Sequence, residues 1–252
     1  MALALPDYAE LHCISSYTFL RGASQPEQLV ARAAALGYRA LAITDECSLG
    51  GVVRAHSAAR ERGLQLIIGS EVRLLDGPRL LLLAADRDGY GDLCALISRG
   101  RRAADKGDYQ LARRDVERLG AGVLAVLLPD EQPALEPARW LAGCFPGRAW
   151  IGCALLRGPG DAARLATVQA LAAAARLPVV ATGDVHMHVR GRRALQDTLT
   201  AIRLGTPLAD CGHALYPNGE RHLRPRQALA GIYPRPLLDE TVRVAQRCTF
   251  SL

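Results

Sequence analysis

The sequence predicts an α/β fold built as a closed or nearly closed barrel, and three observations predict it. Short apolar runs alternate with helical patterns, giving seven strand–helix units along the chain. The runs are continuously apolar, as expected of parallel strands covered on both faces. The 252 residues are enough to bury one sizeable core, and single α/β barrels commonly have this length. A doubly wound open sheet is the alternative that periodicity alone leaves standing.

The elements follow in order. A strand over Tyr8–Ile14 leads through a loop with Gly22 to Ser24-Gln25-Pro26-Glu27, a helix start with proline in the first turn. The helix carries Leu29, Val30, Ala33 and Leu36 on one stripe and stops at Gly37. Ala40–Thr44 is the second strand, and a helix from about Leu49 to Arg62 closes at Gly63. Leu64–Ser70 and Leu80–Ala84 are the third and fourth strands, followed by a helix over Tyr90–Arg102 and a looser stretch holding a short helix. Val123–Leu128 and Ala149–Leu155 flank a helix near Leu135–Phe145. Alanine-rich Asp161–Arg176 is strongly helical by propensity. Pro178–Thr182 is the seventh strand, and a helix near Gly191–Leu204 follows. The Pro/Gly-rich segment Thr206–Pro225 reads as a surface loop.

Composition narrows the class. No apolar run is long enough to span a bilayer. The opening residues MALALPDYAE lack the basic and long apolar regions of a signal peptide. Seven cysteines without a C-x-x-C pair read as reduced thiols of a cytoplasmic protein. The net charge of +6 invites a nucleic-acid reading. Yet Lys106 is the sole lysine, and clusters such as Arg99-Gly100-Arg101-Arg102 are most simply solvated helix faces. No phosphate-cradling glycine loop of the common nucleotide-binding folds is present.

Reading each strand to its carboxyl end gives His12, Asp45-Glu46, Glu71, and Asp184 with His186. In a parallel barrel these ends share one face, where active sites are built. One strand-end aspartate alone is usually a helix cap. Imidazoles and carboxylates from four strands are a set suited to divalent metals and phosphate-ester hydrolysis.

The segments AELHCISSYTFLRGAS, ALAITDECSLGGVVRAH, LIIGSEVRL, LLLLAADRDGYGDLCALISRGRR and VVATGDVHMHVRGRRALQDTL resemble the PHP (polymerase and histidinol phosphatase) domain of bacterial C-family DNA polymerases, in particular the error-prone, damage-inducible members. The resemblance implies a distorted seven-stranded (β/α) barrel. It also implies that residues 1–252 form the N-terminal PHP domain of a longer polymerase, whose palm, thumb and fingers are absent here. Intact family members bind a metal cluster and hydrolyse phosphate esters. Here the usual His-x-His reads His12-Cys13-Ile14, and isoleucine cannot bind a metal. Arg21 stands before Gly22 where an acidic residue or histidine is expected, and Thr-Asp-His reads Thr44-Asp45-Glu46. The histidine that opens the fourth strand is Arg79 or Leu80, and the fifth-strand ligand is lost among Leu127, Leu128 and Pro129.

By resemblance His12, Glu71, Asp184 and His186 remain at ligand positions, with Arg21, Asp45 and Glu46 beside them. Arg21 is expected to point at Glu46, Glu71 or Asp184 in place of metal charge. The implied reading is a catalytically silent domain with a structural and interaction role in an error-prone polymerase. No cofactor is expected, and one residual zinc, manganese or magnesium ion is the alternative. The other functional reading is an active metal-dependent phosphoesterase or 3′–5′ exonuclease; a third is DNA binding through the arginines. Implied partners are the remainder of the polymerase chain, accessory proteins of the mutagenesis machinery, and DNA through the parent polymerase. His222 and Arg224 are expected as interdomain contacts, while Cys13 reads as a small buried hydrophobe.

Overall fold

The computed structural model describes residues 5–252; the signal-peptide expectation falls partly on residues 1–4, outside the described residues. The order is β1 (Ala9–Glu10), α1 (Pro26–Ala35), β2 (Ala40–Ile43), α2 (Val52–Arg62), β3 (Gln65–Arg73), β4 (Arg79–Ala84), α3 (Arg87–Arg102) and α4 (Arg113–Val116). Then follow β5 (Val123–Leu128), α5 (Leu135–Cys144), β6 (Ala149–Cys153), α6 (Asp161–Ala175), β7 (Val179–Ala181), α7 (Arg193–Leu204), α8 (Arg226–Ala230) and α9 (Arg235–Arg247). The seven strands form one sheet in sequence order. Among the described residues no helix is long and apolar enough to cross a membrane.

The sheet is mixed, which corrects the all-parallel expectation. β4 runs antiparallel to both β3 and β5. The cause is local: residues 74–78, with Asp76-Gly77 at their centre, form a hairpin link far too short for a crossover. The amino end of β4 therefore lies on the rim reached by the carboxyl ends of its neighbours. That reversal brings Arg79 to the same end of the sheet as Arg73 of β3 and Leu128 of β5.

The curl is joined beyond the ends of β1 and β7. Cys13 bridges Val185, with Ile14 N–H donating to Val185 O and Val185 N–H to His12 O, both at 2.9 Å. Buried Glu10 fixes this seam. It accepts hydrogen bonds from Tyr8 Oη (2.8 Å), His12 N (3.0 Å) and Gly183 N (2.8 Å). A Cβ at Gly183 would stand 2.1 Å from Glu10 Oε2, so the close approach requires glycine.

Alternate residues of one strand serve two cores. Leu80 and Leu82 pack outward under the helices, whereas Leu81 and Leu83 fill the barrel. Each such side chain contributes about 1.5–3 kcal/mol on burial. Val244, Ala245 and Cys248 join the interior cluster. Gln65 ties them down, its Nε2 donating to Ala245 O (2.9 Å) and Cys248 O (2.8 Å).

Thr206–Pro225 is not wholly a surface loop. Leu223 and Arg224 are buried. Arg224 donates to Leu155 O at 2.8 Å and Tyr38 Oη to Arg224 O at 2.6 Å. Arg224 is thus an internal tie, which corrects its expected role as an outward contact; His222 is half-buried and faces Gly219 O at 2.8 Å.

Candidate functional site

The rim is assembled by loops leaving the strands. Asp45, just past β2, is buried and accepts hydrogen bonds from Ser15 N, Ser15 Oγ and Thr18 Oγ1, each at 2.7 Å. Both its oxygens are therefore spent on the loop that carries Arg21, and burial pushes its carboxyl up against those bonds. The loop turns back at Gly22, where a Cβ would stand 1.9 Å from Ser15 O. Asp184 follows β7 with φ of 46°, a left-handed conformation that aspartate tolerates better than most residues.

Over β1–β3 the polar groups are closely paired. Arg21 Nη1 donates to Glu46 Oε2, and Nη2 lies 3.5 Å from Glu71 Oε1. Glu46 Oε1 accepts from Tyr109 Oη at 2.9 Å. His12 Nε2 stands 2.8 Å from Glu71 Oε2 and 3.7 Å from Asp184 Oδ1. Burial would push the Glu71 carboxyl up. The His12 hydrogen bond, with the positive charge of Arg21 and Arg79, outweighs it and holds Glu71 well below the usual carboxylate range.

His186 is buried, and both its ring nitrogens are engaged. Gln196 Nε2 lies 2.8 Å from Nδ1, and the same amide nitrogen faces Arg21 O at 3.4 Å, which orients it as the donor. The ring proton is thereby assigned to Nε2, which faces Asp184 Oδ1 at 3.0 Å. Burial and then the charge of Arg21 depress the imidazole well below its ordinary pKa, so it is neutral at pH 7. Tyr216 packs edge-on against it at 5.3 Å.

Over β4–β7 the rim opens into a cleft of about 530 Å³. Its lining includes His12, Arg79, Thr182, Asp184 and Arg221. Arg221 pairs with Asp184 Oδ2 and lies over the Tyr216 ring at 4.2 Å. Burial, and then the charges of Arg79 and Arg21, lower its guanidinium to about 10. Arg79 stands 3.8 Å from Glu71 Oε1 and 4.0 Å from Asp130 Oδ1, beyond hydrogen-bond reach of both.

The structure thus brings His12, Glu71, Asp184 and His186 together, with Arg21 and Glu46 beside them, and leaves Asp45 beneath the rim. Arg221 was missed by sequence reasoning. It lies in an aperiodic segment, and nothing local marks it. The donor set does not fit the metal cluster that the resemblance implies. Among the described residues no three His, Cys, Asp or Glu side chains form a group that could hold a metal ion. Glu46, Glu71 and Asp184 each face a guanidinium, and the Gln196 amide occupies the one lone pair of His186.

The curled seven-stranded sheet with helices is a fold shared with other solved structures. A putative metal-dependent phosphoesterase from Bifidobacterium adolescentis has a similar fold, with a TM-score of 0.50 at 16% identity over 71% of this chain and 88% of that one. An amidohydrolase from Chromobacterium violaceum, solved with bound sulfate and no metal, gives 0.51 at 18% over 71% and 87%. The chain belongs to the PHP domain family, which it matches over residues 10–148. It is 59% identical over 246 residues to the error-prone DNA polymerase of Methylococcus capsulatus and 60% over 245 to that of Pseudomonas aeruginosa. Each alignment covers 97% of this chain, which spans 24% of either relative's length.

Proposed function

We propose that residues 1–252 are the N-terminal PHP module of an error-prone DNA polymerase acting in translesion synthesis and induced mutagenesis, and that the module itself hydrolyses nothing. One observation carries the second half: three rim carboxylates, Glu46, Glu71 and Asp184, meet the guanidinium groups of Arg21 and Arg221, with Arg79 at 3.8 Å from Glu71. On this reading guanidinium charge takes the place of the metal charge that the family resemblance implies. A guanidinium and a divalent ion about 5 Å apart repel by roughly 6–7 kcal/mol at an effective dielectric near 20, so one largely excludes the other. Arginine also presents a planar fork suited to carboxylate oxygens.

The role left to the module is structural: it supports the remaining polymerase chain and offers a surface to accessory proteins of the mutagenesis machinery, with DNA engaged through the whole enzyme. The support is the identity to much longer error-prone polymerases. Assays of the purified chain test the reading. Template-dependent extension is expected to be absent, as are phosphatase and 3′–5′ exonuclease turnover with magnesium, manganese or zinc. Turnover that follows metal titration and disappears in both His12→Ala and Asp184→Asn would establish the alternative, an active metal-dependent phosphoesterase.

A further inference from the structure

α7 carries its apolar side chains outward. Of its 12 residues only Gln196, Thr200 and Ala201 are buried. Leu195, Leu199 and Ile202, spaced i, i+4 and i+7, form one stripe. Leu195 is 38% and Ile202 59% exposed, and Leu199 is half-buried. α9 shows the ordinary arrangement, burying Leu237, Leu238, Val244 and Ala245. Leu204 and Leu208, where α7 gives way to a tight helical turn over Leu208–Asp210, are exposed too. Polar contacts on the inner face fix the rotation of the helix. Gln196 Nε2 lies 2.8 Å from His186 Nδ1 and 3.4 Å from Arg21 O, and Arg193 Nη2 donates to Tyr216 O at 2.8 Å. Turning the stripe inward would break all three. The charge beside it is positive. Arg190 pairs with Glu220 and Arg193 with Asp197, whereas Arg192 and Arg203 meet no carboxylate among the described residues. Arg203 borders the stripe next to Ile202, and Arg192 stands at the start of the helix.

We propose that this stripe seats an amphipathic segment of the same polymerase chain, beyond residue 252, which sets apolar side chains against Leu195, Leu199 and Ile202 and a carboxylate against Arg203. The proposal rests on the reading that residues 1–252 are the N-terminal module of a longer polymerase. This chain spans 24% of the length of its error-prone polymerase relatives, so the rest of such a chain has ample length to supply the segment. An apolar face left open at all times promotes aggregation. Its occupant is therefore one that is always present, which a segment of the same chain is and a transient partner is not. Tethering also raises the effective concentration of the occupant, so a stripe of three side chains suffices where a free partner would need a larger interface. An amphipathic helix laid on an apolar face is a common way to meet such a stripe. The unpaired arginines select an acidic edge over a basic one.

Hydroxyl-radical footprinting of the full-length polymerase, read residue by residue by mass spectrometry against residues 1–252, tests this. Leu195 and Ile202 are expected to react about tenfold less in the whole polymerase, as side chains in the dry centre of an interface do. Ile202→Glu is expected to speed proteolytic release of the module from the whole polymerase about tenfold or more, because it sets a charge against apolar side chains. The same variant should leave the urea midpoint of residues 1–252 unchanged. Arg203→Glu should speed release severalfold, and less so at high salt. Equal reactivity of Leu195 and Ile202 in the two chains would overturn the proposal. So would protection that appears only when an accessory protein is added, or that is lost when sedimentation shows dilution to a monomer; these outcomes assign the stripe to a separate partner or to a second copy. An Ile202→Glu defect as large in residues 1–252 as in the whole polymerase would also overturn it, since the stripe would then belong to the module's own core. Unprotected residues in a full-length chain that extends a primer overturn this proposal alone. A full-length chain without template-dependent extension overturns the reading on which it rests.

Discussion

The two halves of the rim solve the same electrostatic problem differently. Over β1–β3, Glu46 is held by Arg21 and Tyr109, and Glu71 by His12 and Arg21, so the charges are spent internally. Over β4–β7, Arg79 reaches no acceptor, and Thr182 Oγ1 and His12 Nδ1 are left without partners among the described residues. Both halves lie on the same rim of the sheet. The first is a closed network of paired charges; the second is an open cleft. One rim thus carries a half whose charges are paired internally and a half that keeps unpaired polar atoms.

The largest expected effect is on the locked half. Glu71→Ala removes a buried carboxylate from between His12, Arg21 and Arg79, and should cost about 3 kcal/mol in urea unfolding, because it strands partly buried positive charge. A loss below about 0.5 kcal/mol, the range of ordinary surface changes, would mean that the lock does not form. Next is the Arg21–Glu46 pair. Both residues are only partly buried, so a double-mutant cycle with Arg21→Met and Glu46→Gln should give a coupling of about 1 kcal/mol.

How much of this contrast could be read from the sequence depends on the element. Helix ends were legible because they have their own chemistry: Pro26 opens α1 and left-handed Gly63 ends α2. His12, Glu71, Asp184 and His186 were legible because strand ends converge in any barrel, and Arg21 because it departs from a family pattern. The direction of β4 was not legible from apolar periodicity, which carries no polarity, although Asp76-Gly77 in a short link was a signal for a hairpin. α9 lay beyond the last strand pattern, and its buried stripe of Leu237, Leu238, Thr241, Val244 and Ala245 went unread. Arg221 reaches Asp184 across a segment without periodicity, a contact set by tertiary structure alone.

A third prediction uses pH. His186 is kept neutral in the folded chain by burial and by Arg21, so its folded pKa lies below the ordinary value. The unfolded chain takes up that proton first as pH falls through about 6.5, which favours unfolding. Stability should fall by about 1 kcal/mol from this group between pH 7 and 5.5, and His186→Gln should flatten that slope. A slope unchanged in the variant would remove His186 from the account.

The smallest effect belongs to the open half. The Arg79 guanidinium makes no hydrogen bond among the described residues and acts on Glu71 only through space at 3.8 Å, so Arg79→Gln should change stability by less than about 0.5 kcal/mol. A loss as large as that of Glu71→Ala would show that Arg79 belongs to the lock and not to the cleft.

The proposal that guanidinium charge serves this rim in place of a metal is tested most directly by anomalous scattering from crystals grown after dialysis against zinc and manganese. The account predicts Arg21 turned inward on Glu46 and Glu71, with no ion peak at His12, Glu71 and Asp184. A full-occupancy ion held by those three residues, with Arg21 turned out to solvent, would contradict it.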